Sequence, residues 1–242
     1  MPSVSVIIPT LQEEKLIERT LAQFSPELKQ RFDLEVIVSD NGSTDGTLPL
    51  ARGYADVVVE NDKDVKQNIS IGRNVGAREA RGNILIFINA DTRIEHIERF
   101  LEVMIGTIRT PGVTGATCSV GIYREEEELS DKLFHGFYNL YFHALNVLGM
   151  GMGRGECQVM RRDTFAGLGG YNERIAAGED YELFLRLRRL GRVVFLSSLR
   201  VNESPRRYRK YGYLRISVLW FLNAVSVFLF QRSLHKEWEA VR

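Results

Sequence analysis

Short apolar runs alternate with stretches of helical character through the first half of the chain, and this alternation restricts the fold more than any other feature. The runs that predict strands lie at residues 4–8, 34–40, 55–60, 83–89 and 112–123. The stretches that predict helices lie at residues 13–30, 68–82 and about 95–109. Strands that are apolar on both sides belong to sheets covered on both faces, and alternation with helices indicates parallel order. The sequence therefore predicts an α/β fold with a mostly parallel, Rossmann-like central sheet flanked by helices.

Polar residues follow three of these predicted strands at the point where each strand ends. Pro9 and Thr10 follow the first strand, Asp40 ends the second, and Asn89 and Asp91 follow the fourth. Ligands of open α/β sheets bind beyond the carboxyl ends of the strands, so these residues predict a binding site there. The alternative is that loops are polar in any protein.

Each candidate carboxylate also has a structural interpretation. Asp40 could accept hydrogen bonds from a base or ribose, or it could form the turn of "NGSTDG". Asp91 could bind a divalent cation together with a diphosphate, or it could cap the next helix. Glu179 and Asp180, in "GED", could supply a general base at a helix N-terminus, or they could only cap that helix.

Composition and charge give broad limits on the class of protein. The 242 residues have a formal net charge of +1, which gives no overall bias towards nucleic acid. The two cysteines, Cys118 and Cys157, are far apart and favour a reduced, cytosolic protein. We expect no secretory signal, because a strand pattern begins at residue 4 without a basic segment and a long apolar run before it.

Five motifs occur in one order across most of residues 4–191, and together they carry a resemblance. They read "VSVIIPTLQEE", "VIVSDNGSTDGT", "GRNVGAREARGNILIFINADT", "VMRRDTFAGLGGYNE" and "AGEDYELFLRLRRLG". This set resembles the inverting glycosyltransferase family 2, which has the GT-A fold. The resemblance implies transfer of a sugar from a nucleoside-diphosphate sugar, with UDP- and GDP-sugars both open.

The resemblance also implies roles for single residues. Asp180 would be the catalytic base with Glu179 beside it, Arg73 would lie near the pyrophosphate, and Asp91 would bind Mg²⁺ or Mn²⁺. The nucleotide pocket would be lined by Pro9, Thr10, Glu14 and Asp40, with Asn89 as a polar support. A phosphate acceptor needs no deprotonation, and Asp180 would then position it.

The chain departs from the family pattern at three places. Gln12 stands where the family often has Asn, Asn89 replaces the first carboxylate of the Asp-x-Asp motif, and Asn202 and Glu203 stand where a His near the metal is common. These departures predict a weakly held metal. Asn89 also motivates the alternative function of a non-catalytic sugar-nucleotide-binding scaffold. A nucleotidyltransferase would require a glycine-rich basic loop after the first strand, and "IPTLQEEK" does not provide one.

The C-terminal part is basic and then apolar. Residues 206–215 hold five Arg or Lys and no acid, whereas 216–230 carry no charge. We therefore predict a catalytic domain at 1–203 and a helical extension at 204–242 that associates with an anionic membrane surface. Burial in a homodimer and membrane spanning are the alternatives, and Arg206 and Arg207 are candidates to reach the donor pyrophosphate. We expect a peripheral protein at the cytoplasmic face of the cell membrane, with a lipid-linked or polyprenyl phosphate acceptor.

Overall fold

The computed structural model describes residues 3–61 and 68–234, so the end of the predicted extension, 235–242, lies outside the described residues. The strands are β1 Val4–Thr10, β2 Leu34–Asp40, β3 Val57–Glu60, β4 Ile84–Phe87, β5 Arg93–Ile94, β6 Val113–Ile122, β7 Gln158–Arg161 and β8 Arg192–Glu203. The helices are α1 Ile17–Leu21, α2 Pro26–Phe32, α3 Thr47–Tyr54, α4 Ile69–Glu79, α5 Ile97–Arg109, α6 Leu129–Val147, α7 Arg162–Gly167, α8 Glu179–Leu190, α9 Arg206–Tyr211 and α10 Tyr213–Phe230.

The described strands form one sheet in the order β3-β2-β1-β4-β7-β6-β8-β5. Strands β1 to β4 pair in parallel, β7 pairs antiparallel with both β4 and β6, and β8 runs parallel to β6. Only β7 and the short edge strand β5 therefore run against the other six described strands. The prediction of a mostly parallel sheet is confirmed.

Helices cover both faces of this sheet. Val4, Val6 and Ile8 of β1 point to one face and join a core with α1, α2 and α5, whereas Ile7 points to the other face and joins a core with α7 and α8. Both β1 and β2 are buried along their whole length. Such burial explains why these strands appear as continuous apolar runs in the sequence.

Two glycines on α4 allow this helix to lie against β1. A side chain at Gly76 would meet Ile7 Cγ2 at 2.6 Å, and one at Gly72 would meet Pro9 Cβ at 3.2 Å. The face of α4 that carries these glycines is therefore its packing face against β1. This close approach brings Arg73, also on α4, to the carboxyl end of the sheet.

The single helix predicted at 13–30 is two short helices instead. Ser25 caps α2 by accepting a hydrogen bond from the Leu28 N–H at 3.3 Å, and Pro26 occupies the first turn. Proline lacks the N–H that a continuous helix would need, so the chain turns at this point. The sequence pattern of apolar spacing continued across the break and hid it.

The C-terminal helices pack against α6 rather than forming a separate body. Tyr208 of α9 and Ile216 of α10 share a cluster with Ile122 at the end of β6, and Phe134 of α6 and Trp220 of α10 pack on it. The boundary at 203/204 stays a prediction. The packing places α6 and α10 side by side above the carboxyl end of β8.

Candidate functional site

A cavity of about 800 Å³ opens at the carboxyl ends of β1, β4 and β8. Its floor comes from the strand ends and the start of α8, and its walls come from α6, α9 and α10. The charged residues that line it are Glu13, Arg73, Asp91, Arg154, Glu156, Glu179, Asp180, Glu203, Arg206 and Arg207. The structure thus brings together most of the residues predicted to form the site.

Asp180 and Glu179 begin α8, and their environments differ. Glu179 is buried and accepts a hydrogen bond from Arg73 Nη1 at 2.6 Å, so its charge is paired. Asp180 Oδ1 accepts from the Tyr181 N–H at 2.9 Å. Burial, and then the Glu179 charge, raise the pKa of Asp180 to about 7. A carboxylate with that pKa is well suited to accept a proton near neutral pH.

A glycine and an amide fix the start of α8. Gly178, the residue before the helix, has φ of 85°, and a side chain there would collide with the Tyr181 hydroxyl. Asn223 of α10 donates hydrogen bonds to Tyr181 Oη and to the Ala177 carbonyl, both at 2.8 Å. The glycine of "GED" is therefore required by backbone geometry, and α10 directly supports the start of α8.

Arg73 is fully buried and connects the two sides of the cavity. Besides Glu179, its guanidinium donates from Nη2 to Asn89 Oδ1 at 3.0 Å and to the Gly155 carbonyl at 2.8 Å. A carboxylate at position 89 would compete with Glu179 for this guanidinium, whereas the amide oxygen accepts without adding charge. Asn89 thus supports Arg73 in this structure, and its part in donor binding stays a prediction.

Asp91 lies at the other side of the cavity, against α9. Arg206 Nη2 is 3.2 Å from Asp91 Oδ2 and 2.7 Å from Glu13 Oε1. Burial raises the pKa of Asp91, while Arg206 opposes the rise and Glu156 adds to it. His96, not Asp91, occupies the N-cap of α5, so the alternative of a simple helix cap does not apply to Asp91.

The structure places neither Asp40 nor Glu14 in the cavity lining, and donor contact by these two residues stays a prediction. Asp40 is fully buried, and its carboxylate accepts from the Gly42 and Ser43 N–H groups and from the Thr10 and Ser43 hydroxyls at 2.5–3.0 Å. Its four hydrogen bonds shape the turn, as the structural interpretation proposed.

Glu14 is exposed and accepts from the Gly46 N–H at 2.9 Å, so it supports the same turn from outside. Its neighbour Glu13 lines the cavity instead. Gln12, at φ of 56°, accepts through Oε1 from the Thr44 N–H at 2.8 Å and joins the two loops. Pro9, Thr10 and Asn41 also line the cavity, as do Arg206 and Arg207.

Sequence reasoning missed Arg154 and Glu156 and gave Glu203 no role. Arg154 Nε is 3.3 Å from Glu156 Oε2, and Arg154 Nη2 is 3.5 Å from Glu203 Oε1. Burial and then Glu156 raise the pKa of Glu203 well above its usual range. The signal was the glycine-rich stretch "GMGMGRGE", which follows α6 and carries Arg154 and Glu156.

The donor set around Asp91 fits a divalent cation only in part. Within residues 3–61 and 68–234, no three His, Cys, Asp or Glu side chains converge closely enough to hold a metal ion. Mg²⁺ and Mn²⁺ prefer oxygen ligands, and Mg²⁺ is commonly held by one or two carboxylates plus phosphate oxygens. Asp91 could serve as that carboxylate when a diphosphate supplies the remaining ligands.

The two helices above the cavity expose apolar stripes to solvent. On α10, Phe221, Phe228 and Leu229 are 61–71% exposed, while Asn223 and Ser226 are buried. On α6 the exposed apolar residues recur at helical spacing: Leu129, Leu133, Phe137, Leu140, Tyr141 and Leu148. Among the described helices, α10 alone is long and apolar enough to cross a bilayer. This arrangement is the reverse of a soluble surface helix, which buries its apolar face.

Comparisons with known proteins match this chain to one enzyme family. Residues 5–168 match the family model for glycosyl transferase family 2. The succinoglycan biosynthesis protein ExoA of Rhizobium meliloti is 28% identical over 203 residues, which cover 79% of this chain and 60% of ExoA. The chain therefore spans less than two thirds of that relative's length.

Solved structures show the same fold. The mannosyltransferase PcManGT from Pyrobaculum calidifontis, in complex with GDP-Man and Mn²⁺, has a TM-score of 0.68 at 22% identity, covering 93% of this chain and 64% of that one. Glucosyl-3-phosphoglycerate synthase from Mycobacterium tuberculosis, with Mn²⁺, UDP and phosphoglyceric acid, has a TM-score of 0.60 at 17% identity, covering 94% and 78%. Both likenesses confirm the predicted GT-A fold. The family match covers more than half of the chain and includes Thr10, Arg73 and Asp91. The chain therefore belongs to glycosyltransferase family 2.

Proposed function

We propose that this protein transfers a sugar from a nucleoside-diphosphate sugar to an acceptor hydroxyl, with inversion at the anomeric carbon. The observation that carries the proposal is the contrast between the two carboxylates of α8. Arg73 pairs with Glu179 at 2.6 Å, and Asp180 beside it has a pKa raised to about 7. One carboxylate is thus fixed as a structural anion, and the other can exchange a proton.

In the proposed step, Asp180 accepts the proton of the acceptor hydroxyl while its oxygen bonds to the anomeric carbon. The bond from that carbon to the diphosphate oxygen breaks on the opposite face, and the nucleoside diphosphate leaves with the electron pair. Asp180 ends the step protonated, and the proton then passes to solvent. An aspartate with a raised pKa is a stronger base than an ordinary aspartate, so it accepts this proton more readily.

The donor diphosphate would lie at the opposite side of the cavity. Arg206 and Arg207 line that side, and their charges would offset the charge that develops on the leaving group. A bound Mg²⁺ or Mn²⁺ would add to this neutralisation. Asp91 would hold the cation, and Arg206, now 3.2 Å from Asp91, would then turn to the phosphates. The solved relatives contain UDP or GDP-Man with a metal, which supports a UDP- or GDP-sugar donor here.

The acceptor side supports a lipid-linked acceptor at a membrane surface. Phe137 and Tyr141 of α6 and Phe221 of α10 line the cavity and are also exposed, so one apolar surface continues from the cavity to the outside. Basic residues at 206–215 border α10 and suit anionic headgroups. We therefore propose peripheral association with the cytoplasmic face of the cell membrane, with the apolar stripes in the lipid interface.

Release of nucleoside diphosphate from a panel of UDP- and GDP-sugars tests the proposal, with and without Mn²⁺ and with membrane extract as the acceptor source. We expect one donor to give acceptor-dependent release, and Asp180→Asn to remove it. Asp163→Asn is the matched control, because Asp163 also lies in the first turn of a helix and accepts from the next N–H, at 2.6 Å, but is exposed. Tight binding of a nucleotide sugar without any turnover would instead favour the scaffold function.

A further inference from the structure

Glu156 lies between the two chemical ends of the cavity and has no part in the reaction described above. It lies on the loop that joins α6 to β7, and its side chain is 12% exposed. Its charge raises the pKa of Asp180 on one side and of Asp91 on the other. A sugar that joins the base to the diphosphate would have to occupy the space beside this carboxylate.

Buried polar atoms at this position have no hydrogen-bond partner among the described residues. These atoms are Glu156 Oε2 and Arg154 Nη1. The two side chains form an ion pair through other guanidinium atoms, with Arg154 Nε 3.3 Å from Glu156 Oε2 and Arg154 Nη2 3.4 Å from Glu156 Oε1. A buried acceptor and a buried donor without partners cost folding free energy unless a ligand or water satisfies them. The adjacent pair offers what a sugar hydroxyl requires, since a hydroxyl both donates and accepts one hydrogen bond.

The pair is held in place from several directions. Arg154 is 3% exposed, contacts Glu203 at 3.5 Å, and lies near the rings of Phe142 and Trp220 at 5.9 and 6.0 Å. The intervening Gly155 carbonyl accepts from Arg73 at 2.8 Å, which ties the loop to the floor of the site. A carboxylate fixed in this way loses little conformational freedom when it binds a ligand.

We propose that Glu156, positioned by Arg154, accepts a hydrogen bond from a hydroxyl of the transferred sugar and selects which sugar the enzyme uses. The inference rests on the proposed function and adds a specificity-determining residue to it. Selection follows because a sugar without a hydroxyl at the matching position leaves the buried Glu156 carboxylate with only its Arg154 contacts. A charged hydrogen bond in such a site corresponds to about 10- to 100-fold in affinity.

Calorimetry with UDP-glucose, GDP-mannose and the matching diphosphates, UDP and GDP, tests this inference on the full chain. We expect Glu156→Gln to weaken binding of the preferred nucleotide sugar about 10- to 100-fold while leaving binding of its diphosphate within about twofold. Glu182→Gln is the matched control, because Glu182 is a buried carboxylate paired with Arg186 at 2.7 Å and does not line the cavity. The control should change neither affinity.

Deoxy and fluoro analogues of the preferred sugar separate ligand contact from loop structure. In the wild type, replacing the hydroxyl at one sugar position should weaken binding of both the deoxy and the fluoro analogue, because neither can donate a hydrogen bond to a carboxylate. In Glu156→Gln, the same two analogues should bind no more weakly than the parent sugar does. Equal loss of sugar nucleotide and diphosphate binding, or no loss of either, would overturn the inference. A wild type that binds none of the four probes would overturn the proposed function as well, so the two failures are distinguishable.

Discussion

Asp180→Asn should stabilise the fold while it removes the proposed transfer, because the charge that would act as the base also costs folding free energy. Burial and the Glu179 charge raise the pKa of Asp180 from 3.8 to about 7. The folded protein therefore holds this proton more tightly than the unfolded chain does, and stability falls as pH rises between about 4 and about 7. Asparagine keeps an acceptor for the Tyr181 N–H, so the charge is the main property that is removed.

The size of the effect follows from the pKa. At about 1.36 kcal/mol per pKa unit, the full rise corresponds to about 4 kcal/mol, and about 2–3 kcal/mol of it falls between pH 5 and pH 8. Urea unfolding of wild type and Asp180→Asn at pH 5 and pH 8 measures this difference directly. We expect the stabilisation by the substitution to be about 2–3 kcal/mol larger at pH 8, because other titrating groups cancel between the two proteins.

Asp163→Asn should show no such pH-dependent gain, since its carboxylate is exposed. Equal stabilities of wild type and Asp180→Asn at pH 8 would refute the argument that burial destabilises this charge. In the transfer assay with a hydroxyl acceptor, we expect the variant to lose about 10²- to 10⁴-fold in rate. Wild-type kcat/KM should rise with pH and level off above about pH 7, because the base must be ionised. A pH-independent rate from pH 5 to 8 would contradict the assignment.

Three further outcomes test the supporting parts of the site. Arg73→Ala should lower the free energy of unfolding by about 3–5 kcal/mol, because it leaves the buried Glu179 carboxylate unpaired. Arg78→Ala, on the same helix but 64% exposed, should change it by less than about 0.5 kcal/mol. Similar losses for both variants would refute the stabilising role of the buried Arg73 hydrogen bonds. Asp91→Asn should remove the increase in donor affinity that Mn²⁺ produces in the wild type, and calorimetry with and without the ion measures this increase. An unchanged Mn²⁺ effect would show that Asp91 does not bind the cation. Phe228→Asp should weaken sedimentation with anionic vesicles at least about tenfold, whereas Leu190→Asp on α8 should not, although both side chains are more than half exposed.

Much of the fold could be predicted because its signals are local. The buried runs at 34–40 and 83–89 need only burial on both faces to be recognised as strands, and Gly76 marks the close approach of α4 to β1. The break at Pro26 was missed because apolar spacing continues across it. Helix bounds elsewhere differ from the predictions by a few residues, as α4 begins at Ile69 and ends at Glu79.

The direction of a side chain was harder to predict than its position in a motif. Glu13 and Glu14 are neighbours in one motif, yet only Glu13 lines the cavity, because the left-handed turn at Gln12 sets which of them faces inward. Asp40 lies in the expected loop, but three hydrogen bonds from its own turn and one from Thr10 use all of its acceptor capacity. The role of Glu156 depends on a loop and on neighbours more than 60 residues away in sequence, such as Asp91, which no local pattern contains.

The charge balance of the cavity links these residues to donor binding. Six carboxylates and four guanidiniums line it among the described residues, a formal excess of two negative charges when all are ionised. A nucleoside diphosphate would add negative charge to a site that already carries an excess, so it should bind weakly by itself. Protonation of Asp180 removes one negative charge, and a divalent cation at Asp91 would remove two. Donor affinity should therefore increase with Mn²⁺ and, without it, decrease as pH rises through about 7. Catalysis requires the ionised base, so at neutral pH the cation rather than the Asp180 proton would have to offset the charge of the donor.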